Sequence, residues 1–264
     1  MKIGFIGCGN MATAMLKGIL KSGEVKNGDM IASAKSDKTR EKIEKELGIQ
    51  KADTNAQVVD FADVVFLAVK PQFLEEVLDE IKDNVKEGQI FISIAPGKTL
   101  QWLGEHLGEW TKIIRTMPNT PAMVGEGMTA LCVNEQVTEK ETLLAVTLCN
   151  TFGKTEVIPE RLMDVVVGVS GSSPAYVFMF LEAMADAAVA DGMPRAQAYK
   201  FAAQAVLGSA KLMLETGKHP GELKDMVCSP AGTTIQAVRV LEEKGLRSAV
   251  IEAQLECVKK AKGM

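Results

Sequence analysis

Three hydroxyl side chains lie close together late in the chain, where a helix is predicted to begin. The run CSPAGTT at positions 228–234 consists of small residues, and the helical pattern Ile235–Leu241 follows it directly. The first backbone N–H groups of a helix have no partner within the helix and sit at the positive end of its dipole, so they bind anions. The hydroxyls of Ser229, Thr233 and Thr234 add hydrogen-bonding groups to this predicted anion site.

A second predicted anion site lies near the start of the chain and has the pattern of a dinucleotide-binding turn. A short apolar strand, Lys2–Ile6, is followed by the run GCGNMA, which has the spacing G-x-G-x-x-A, and then by an apolar helical pattern. Gly7 permits the tight turn, Gly9 lets the backbone approach a pyrophosphate, and Ala12 lets the helix pack on the strand. The two sites together predict an enzyme with two anionic substrates. The dinucleotide contacts predicted in this turn are Gly7, Gly9, Asn10, Met11 and Ala12.

The residues after the second predicted strand favour NADPH as the dinucleotide. An NAD site usually has Asp or Glu near the end of this strand, where it binds the ribose 2′-hydroxyl. Here the strand ends at Ser33, and Lys35 follows, which offers a hydroxyl and a cation for a 2′-phosphate. NADH is expected to bind with lower preference. The alternative is that Lys35 and Lys38 are ordinary surface residues.

The order of predicted elements indicates an α/β fold with two domains. Strands and helices alternate up to residue 159, which predicts a Rossmann-like, doubly wound parallel sheet with helices on both faces. Only helices are predicted from residue 160 onward, so residues 1–159 are expected to bind NADP and residues 160–264 to form an all-helical domain. The predicted strands are 2–6, 29–33, 64–69, 89–94, 112–117, 127–133 and 155–158, and the predicted helices of the first domain are 10–22, 37–47, 71–84, 99–107 and 138–151.

Ligands of such sheets bind beyond the carboxyl ends of the strands. Each residue predicted there also has a purely structural explanation, since Asn55 could cap a helix and Pro71 could begin one. The run APGKT at 95–99 resembles the end of a phosphate-binding P-loop but lacks its first glycine, because Ile92 stands there, so a strand-to-helix turn is predicted instead. The further residues predicted to line the cofactor site are Asn55, Ala68, Val69, Lys70, Pro71, Ala95 and Asn119.

Composition excludes several other classes of protein. The net charge of −4 and the lack of a basic stripe argue against nucleic-acid binding. The five cysteines form no C-x-x-C pair, which suggests reduced thiols in the cytoplasm. No signal peptide is expected, because the first predicted strand starts at Lys2 and the glycine-rich turn follows it. His106 and His219 are far apart in sequence, so no metal site is predicted, and a structural role is predicted for His219.

The most apolar long segment, Ala175–Ala190, is expected to be a buried helix. Glu182 and Asp186 interrupt it, and it is too short to cross a membrane comfortably. A helix with so few charges should be buried on nearly all sides. A domain of about 100 residues has too little core to bury such a helix by itself. A partner subunit would supply the missing cover.

Six segments spread along the chain carry specific motifs: Gly7–Ala12, Ala68–Pro71, Arg115–Pro121, Ser170–Tyr176, Leu223–Asp225 and Ser229–Thr234. In these segments the chain resembles the pyrroline-5-carboxylate reductase family, and the resemblance covers its whole length. Ser173 and Ala231 stand where members of that family often have glycine. The resemblance implies NADPH-dependent reduction of 1-pyrroline-5-carboxylate to L-proline, the last step of proline synthesis, and a homodimer through the helical domain that often assembles into a ring of five dimers.

The resemblance also assigns roles at the late turn. A helix start suits the carboxylate of this small cyclic imine. Thr234 is expected to contact the ring nitrogen, where negative charge grows as hydride arrives, and to orient the imine or relay a proton from water. A simple capping role for Thr234 is the alternative. The predicted substrate contacts are Ser229, Ala231, Gly232, Thr233 and Thr234.

Two other functions remain open at this stage. Reductases of a related cyclic imine and 3-hydroxyacid dehydrogenases share this architecture. The hydroxyacid enzymes carry a lysine where Val177 is expected to align, which argues against alcohol chemistry. A non-catalytic NADP-binding sensor would not need the hydroxyl-rich turn at 229–234.

Overall fold

The computed structural model describes residues 1–263, apart from the side chain of Lys42. The chain forms two compact units: Met1–Gly171 together with the residues from Val258 onward, and Ser172–Cys257. The last strand ends at Val157. The expected boundary at residue 159 therefore lies within the first unit, just before a short 3₁₀ helix, Glu160–Leu162.

The first unit is built on one eight-stranded sheet in the order β3-β2-β1-β4-β5-β6-β7-β8. All neighbouring strands are parallel except β6 and β7, which are antiparallel. This confirms the predicted doubly wound sheet, with one reversal of strand direction between β6 and β7. Antiparallel neighbours need no crossover helix, so the short 3₁₀ turn at Thr120–Val124 is enough to join these two strands. The strands are β1 (Ile3–Ile6), β2 (Met30–Ser33), β3 (Gln50–Lys51), β4 (Val64–Leu67), β5 (Ile90–Ser93), β6 (Lys112–Met117), β7 (Gly127–Val133) and β8 (Gly153–Val157).

Helices cover both faces of this sheet. One buried cluster joins β1 to the helices α1, α2 and α6, and a second joins β4 to α3, α4 and α5. A π-helical turn, Val167–Gly171, ends the unit's first segment. The helices are α1 (Asn10–Ser22), α2 (Asp37–Leu47), α3 (Asn55–Phe61), α4 (Pro71–Ile81), α5 (Leu100–Leu107), α6 (Glu139–Asn150) and α7 (Met163–Val166).

The second unit is entirely helical. Its helices are α8 (Ser173–Ala190), α9 (Arg195–Thr216), α10 (Pro220–Val227), α11 (Thr233–Glu243) and α12 (Leu246–Ala261), of which the residues through Cys257 belong here. Helices α8 and α9 pack on each other. Gly217 and Gly245 separate successive helices with positive φ angles of 63° and 75°.

The expectation that α8 is buried nearly all round is not met within one chain. Ala185 is its buried residue, whereas Phe178 is 65% exposed and Met179 70% exposed. By length and composition the helical stretch Glu160–Ala190 could also cross a membrane. Exposed apolar surface of this extent indicates a binding partner.

Candidate active site

The glycine-rich turn has the geometry that a dinucleotide requires. Gly7 has a φ of +93°, and an added Cβ would lie 2.8 Å from the carbonyl oxygen of Ala68. A Cβ at Gly9 would meet nothing within 4 Å, so the space beside this residue is open. Gly9 is the N-cap of α1 and no side chain caps that helix, which leaves the N–H groups of its first turn available to an anion. These residues fit a bound pyrophosphate.

The other residues predicted in this turn take different positions. Ala12 is buried where α1 packs on the sheet, as its small size predicts. Met11 is partly buried against the same cluster. Asn10 is exposed at the first position of α1. The backbone N–H groups of this turn, rather than its side chains, are therefore the groups available to an anion.

At the end of β2, Ser33 is joined to two other side chains. Ser33 is 4% exposed, and its hydroxyl donates to Oδ1 of Asn55 at 2.6 Å. The Nδ2 group of Asn55 donates to Glu80 at 2.7 Å. Asn55 is the first residue of α3 and not its cap, because Thr54 accepts the hydrogen bond from the N–H of Gln57. Ser33 and Asn55 thus lie together where a ribose is expected, and Glu80 fixes the Asn55 amide.

Two cations lie beside the end of β2, Lys35 in the loop and Arg40 on α2. The ammonium of Lys35 lies 5.2 Å from the centre of the Phe73 ring, a cation–π contact. Arg40, which the sequence analysis did not select, donates from Nε to the carbonyl oxygen of Ala34 at 2.7 Å. The hydroxyl of Ser36 caps α2 by accepting from the N–H of Thr39 at 3.3 Å.

The strand ends bring further predicted residues to the same edge of the sheet. Ala68 follows β4 and its N–H donates to the carbonyl oxygen of Ile6 at 2.9 Å, beside the glycine turn. Lys70 is the exposed N-cap of α4, and Pro71 begins that helix, as predicted. Val69 lies 2.9 Å from the Cβ position at Gly7.

Asn119 and Ala95, also predicted to line the cofactor site, are both buried. Asn119 is 8% exposed; its Oδ1 accepts from the N–H of Met128 at 2.8 Å, and its Nδ2 donates to the carbonyl oxygen of Ser170 at 3.0 Å. Through these two hydrogen bonds the Asn119 side chain links β7 to the π-helical turn. Ala95 is 2% exposed in the turn after β5. That turn leads into α5, which Thr99 caps, so the predicted strand-to-helix turn is confirmed.

An ion-pair cluster around a buried arginine, also missed from the sequence, fixes the segment that follows β8. Arg115 on β6 is 6% exposed and contacts Glu160 at 3.0 Å and Asp164 at 3.6 Å. Glu160 also accepts from the first N–H of α5, at Leu100, at 2.7 Å. Burial raises the pKa of the nearby Cys132 thiol to about 12, and Glu160 adds to that rise.

In the second unit, the hydroxyl-rich turn has an open helix start. Gly232 is the N-cap of α11, and no side chain caps this helix. Ala231 has a φ of +58°, the one positive value at a non-glycine position among residues 1–263. The half-buried Thr234 is the second residue of α11. The alternative that Thr234 is the cap is therefore wrong, since Gly232 has that position.

The residues of this turn are in close contact with one another. The N–H of Gly232 donates to the carbonyl oxygen of Ser229 at 3.0 Å. A Cβ added at Gly232 would overlap the Ser229 hydroxyl oxygen, so a larger residue there would force that hydroxyl to rotate away from the helix start. Thr233 is exposed at the start of α11.

His219 caps α10 by accepting from the N–H of Gly221 at 3.1 Å, which confirms its structural role.

Comparisons with known proteins agree along the whole chain. Residues 160–264 match the family model "Pyrroline-5-carboxylate reductase dimerisation", and residues 2–97 match "NADP oxidoreductase coenzyme F420-dependent". The pyrroline-5-carboxylate reductase of Escherichia coli K12 is 55% identical over 98% of this chain and 97% of its own length.

Two solved structures give the same result. A pyrroline-5-carboxylate reductase from Coxiella burnetii is 35% identical, with a TM-score of 0.93 over 99% of this chain and 97% of its own. Pyrroline carboxylate reductase from Plasmodium falciparum, solved with NADP bound, is 29% identical, with a TM-score of 0.89 over 100% of this chain and 97% of its own.

Proposed function

Because the chain belongs to the pyrroline-5-carboxylate reductase family, we propose that it reduces 1-pyrroline-5-carboxylate to L-proline with NADPH. The observation that carries this proposal is the uncapped start of α11, with Thr234 beside it. It supplies the anion site that an imino acid carboxylate needs, in a chain whose glycine turn already suits a dinucleotide. The residues proposed for the cofactor and substrate are those given in the sequence analysis.

The first unit's residues bind the cofactor. The N–H groups at the start of α1 would hold the pyrophosphate, and Ser33 and Asn55 would contact the adenosine ribose. NADPH supplies hydride to the imine carbon when it is bound. NADH would serve less well, because the end of β2 offers a hydroxyl and cations instead of a carboxylate.

The second unit's residues bind the imino acid. The N–H groups that open α11 would receive its carboxylate, and the Ser229 hydroxyl stands beside them. The left-handed backbone at Ala231 turns the chain into this helix start. The Thr234 hydroxyl would bond the ring nitrogen and orient the imine or pass it a proton from water. Holding both reactants in place accounts for much of the expected acceleration, about 7–11 kcal/mol at most.

The apolar surface of the second unit supports a homo-oligomer. Phe178 and Phe201 are 65% and 67% exposed, and Leu214 is 84% exposed. A second copy of this unit would cover these side chains and so favour a homodimer over membrane insertion. A ring of five such dimers, a decamer, follows from the resemblance. Cytoplasmic location agrees with the free thiols of Cys132 and Cys149.

The Thr234→Ala variant tests the role of this residue. We expect turnover to fall about 100-fold, the scale of lost general acid–base help, while NADPH affinity stays near that of the parent. Thr234→Ser restores the hydroxyl and should recover most of the activity. Parent-level turnover by Thr234→Ala would remove Thr234 from the mechanism. A panel of ketoacids and six-membered cyclic imines, run alongside, separates imine from hydroxyacid chemistry.

A further inference from the structure

Arg40 is held at the loop that follows β2. It is the fourth residue of α2, and helical side chains lean toward the amino end of their helix, so this one reaches back over residues 34–36. Its Nε donates to the carbonyl oxygen of Ala34 at 2.7 Å, and its Nη2 donates to that of Lys35 at 3.5 Å. The guanidinium therefore has a defined place beside the end of β2, where nucleotide-binding sheets contact the ribose.

The positive charge of Arg40 is only loosely neutralised. Its ion-pair partner is Asp37, 3.8 Å away and 94% exposed, while the Arg40 side chain is 33% exposed. A pair this long and this solvated contributes little. A guanidinium has five N–H donors, and two carbonyl oxygens use only part of this set. Donors and charge thus remain for an anion.

The other cationic and polar groups of the loop are less suited to this role. The Lys35 ammonium lies over the Phe73 ring on a flexible stem. The Ser36 hydroxyl is already engaged by Thr39, through both its N–H at 3.3 Å and its hydroxyl at 2.8 Å. Of Lys35, Ser36 and Arg40, only Arg40 combines charge, a planar set of donors and a fixed position.

We propose that Arg40 is the residue that selects the 2′-phosphate of NADPH, with Lys35 secondary to it. The inference rests on the proposed use of NADPH and adds the group that distinguishes it from NADH. The two backbone carbonyls orient the guanidinium before the nucleotide arrives, and the remaining N–H groups bind the phosphate oxygens. Little side-chain ordering is then needed on binding.

Calorimetric titration of the protein with two nucleotide probes tests the role of Arg40 through binding alone, without measuring turnover. Adenosine 2′,5′-bisphosphate carries the 2′-phosphate, and adenosine 5′-monophosphate lacks it. For Arg40→Gln we expect the affinity for the bisphosphate to fall about tenfold, the value of one charge-assisted hydrogen bond, with no change for the monophosphate. Arg40→Lys keeps the charge without the planar donors and should lose about threefold. Lys45→Gln, farther along α2, is the matched control and should bind both probes as the parent does.

Two results would overturn the assignment. Equal losses for both probes in Arg40→Gln would mean that Arg40 only supports the loop. An unchanged preference in Arg40→Gln together with a tenfold loss in Lys35→Gln would make Lys35 the selecting cation. The proposed reaction fails separately, if the parent binds the bisphosphate tightly yet does not reduce the imine.

Discussion

Replacing Gly7 with Ala tests the glycine turn most sharply. The backbone at Gly7 has a φ of +93°, and a Cβ there would lie 2.8 Å from the carbonyl oxygen of Ala68 and 2.9 Å from Cγ1 of Val69. A positive φ costs an L residue about 1–2 kcal/mol, and forcing a methyl group into filled space costs about 1–3 kcal/mol more. We expect the free energy of unfolding to fall by about 3 kcal/mol.

The same substitution should weaken NADPH binding. Because the contact is with backbone, the turn must move away from β4, and the N–H groups that open α1 move with it. Losing the alignment of one such bond to a phosphate weakens binding about tenfold. NADPH affinity is measured by calorimetry and stability by urea unfolding.

Gly88→Ala is the matched control for this experiment. Gly88 has a similar φ of +85°, but a Cβ there meets nothing within 4 Å. It should cost about 1–2 kcal/mol of stability through its backbone alone and leave NADPH affinity unchanged. Parent-like NADPH binding by Gly7→Ala, or equal weakening in both variants, would refute the reasoning.

Three further predictions concern the rest of the first unit. Ser33→Asp should shift the ratio of catalytic efficiencies toward NADH by about tenfold, because a carboxylate repels the 2′-phosphate and binds a 2′-hydroxyl; an unchanged ratio counts against the interpretation of this loop. Arg115→Leu leaves two partly exposed carboxylates without their cation and should lower the free energy of unfolding by about 2 kcal/mol, read from urea unfolding. The thiols of Cys132 and Cys149, whose pKa burial raises to about 12, should react with a disulfide reagent only after denaturation, and rapid reaction of either in the native enzyme would contradict this.

Much of the first unit could be predicted because its strands are short apolar runs between turn residues. The exceptions are small elements without such a pattern. Strand β3 is two exposed residues, Gln50 and Lys51, so no alternation marks it. Helix α3 has only seven residues; a helix start near Asn55 was considered, but its bounds were not predicted, although Thr54 and Gln57 have the spacing of a capping box.

The parts of the site that were missed depend on side-chain direction and tertiary contacts. Arg40 is one charged residue among many on α2, and only its reach over the Ala34 carbonyl singles it out. Glu80 lies 25 positions from Asn55 along the chain, so nothing local indicates their contact. Asn119 was predicted from its place at a strand end, and the structure shows its amide bonded to the backbone of Met128 and Ser170.

The exposure of α8 has a different cause. The sequence pattern indicates that this helix must be buried, but it does not say by what. Phe178 and Met179 remain open in the single chain. Light scattering on the purified protein would show whether a second copy covers them, and a monomer would contradict the proposed dimer.

The most direct test of the account is a steady-state assay of the purified chain with 1-pyrroline-5-carboxylate and NADPH. We predict that NADPH absorbance falls only when the imine is present, that L-proline forms in equal amount, and that NADH supports a slower reaction. Tight NADPH binding without any consumption of the imine would contradict the proposed reaction.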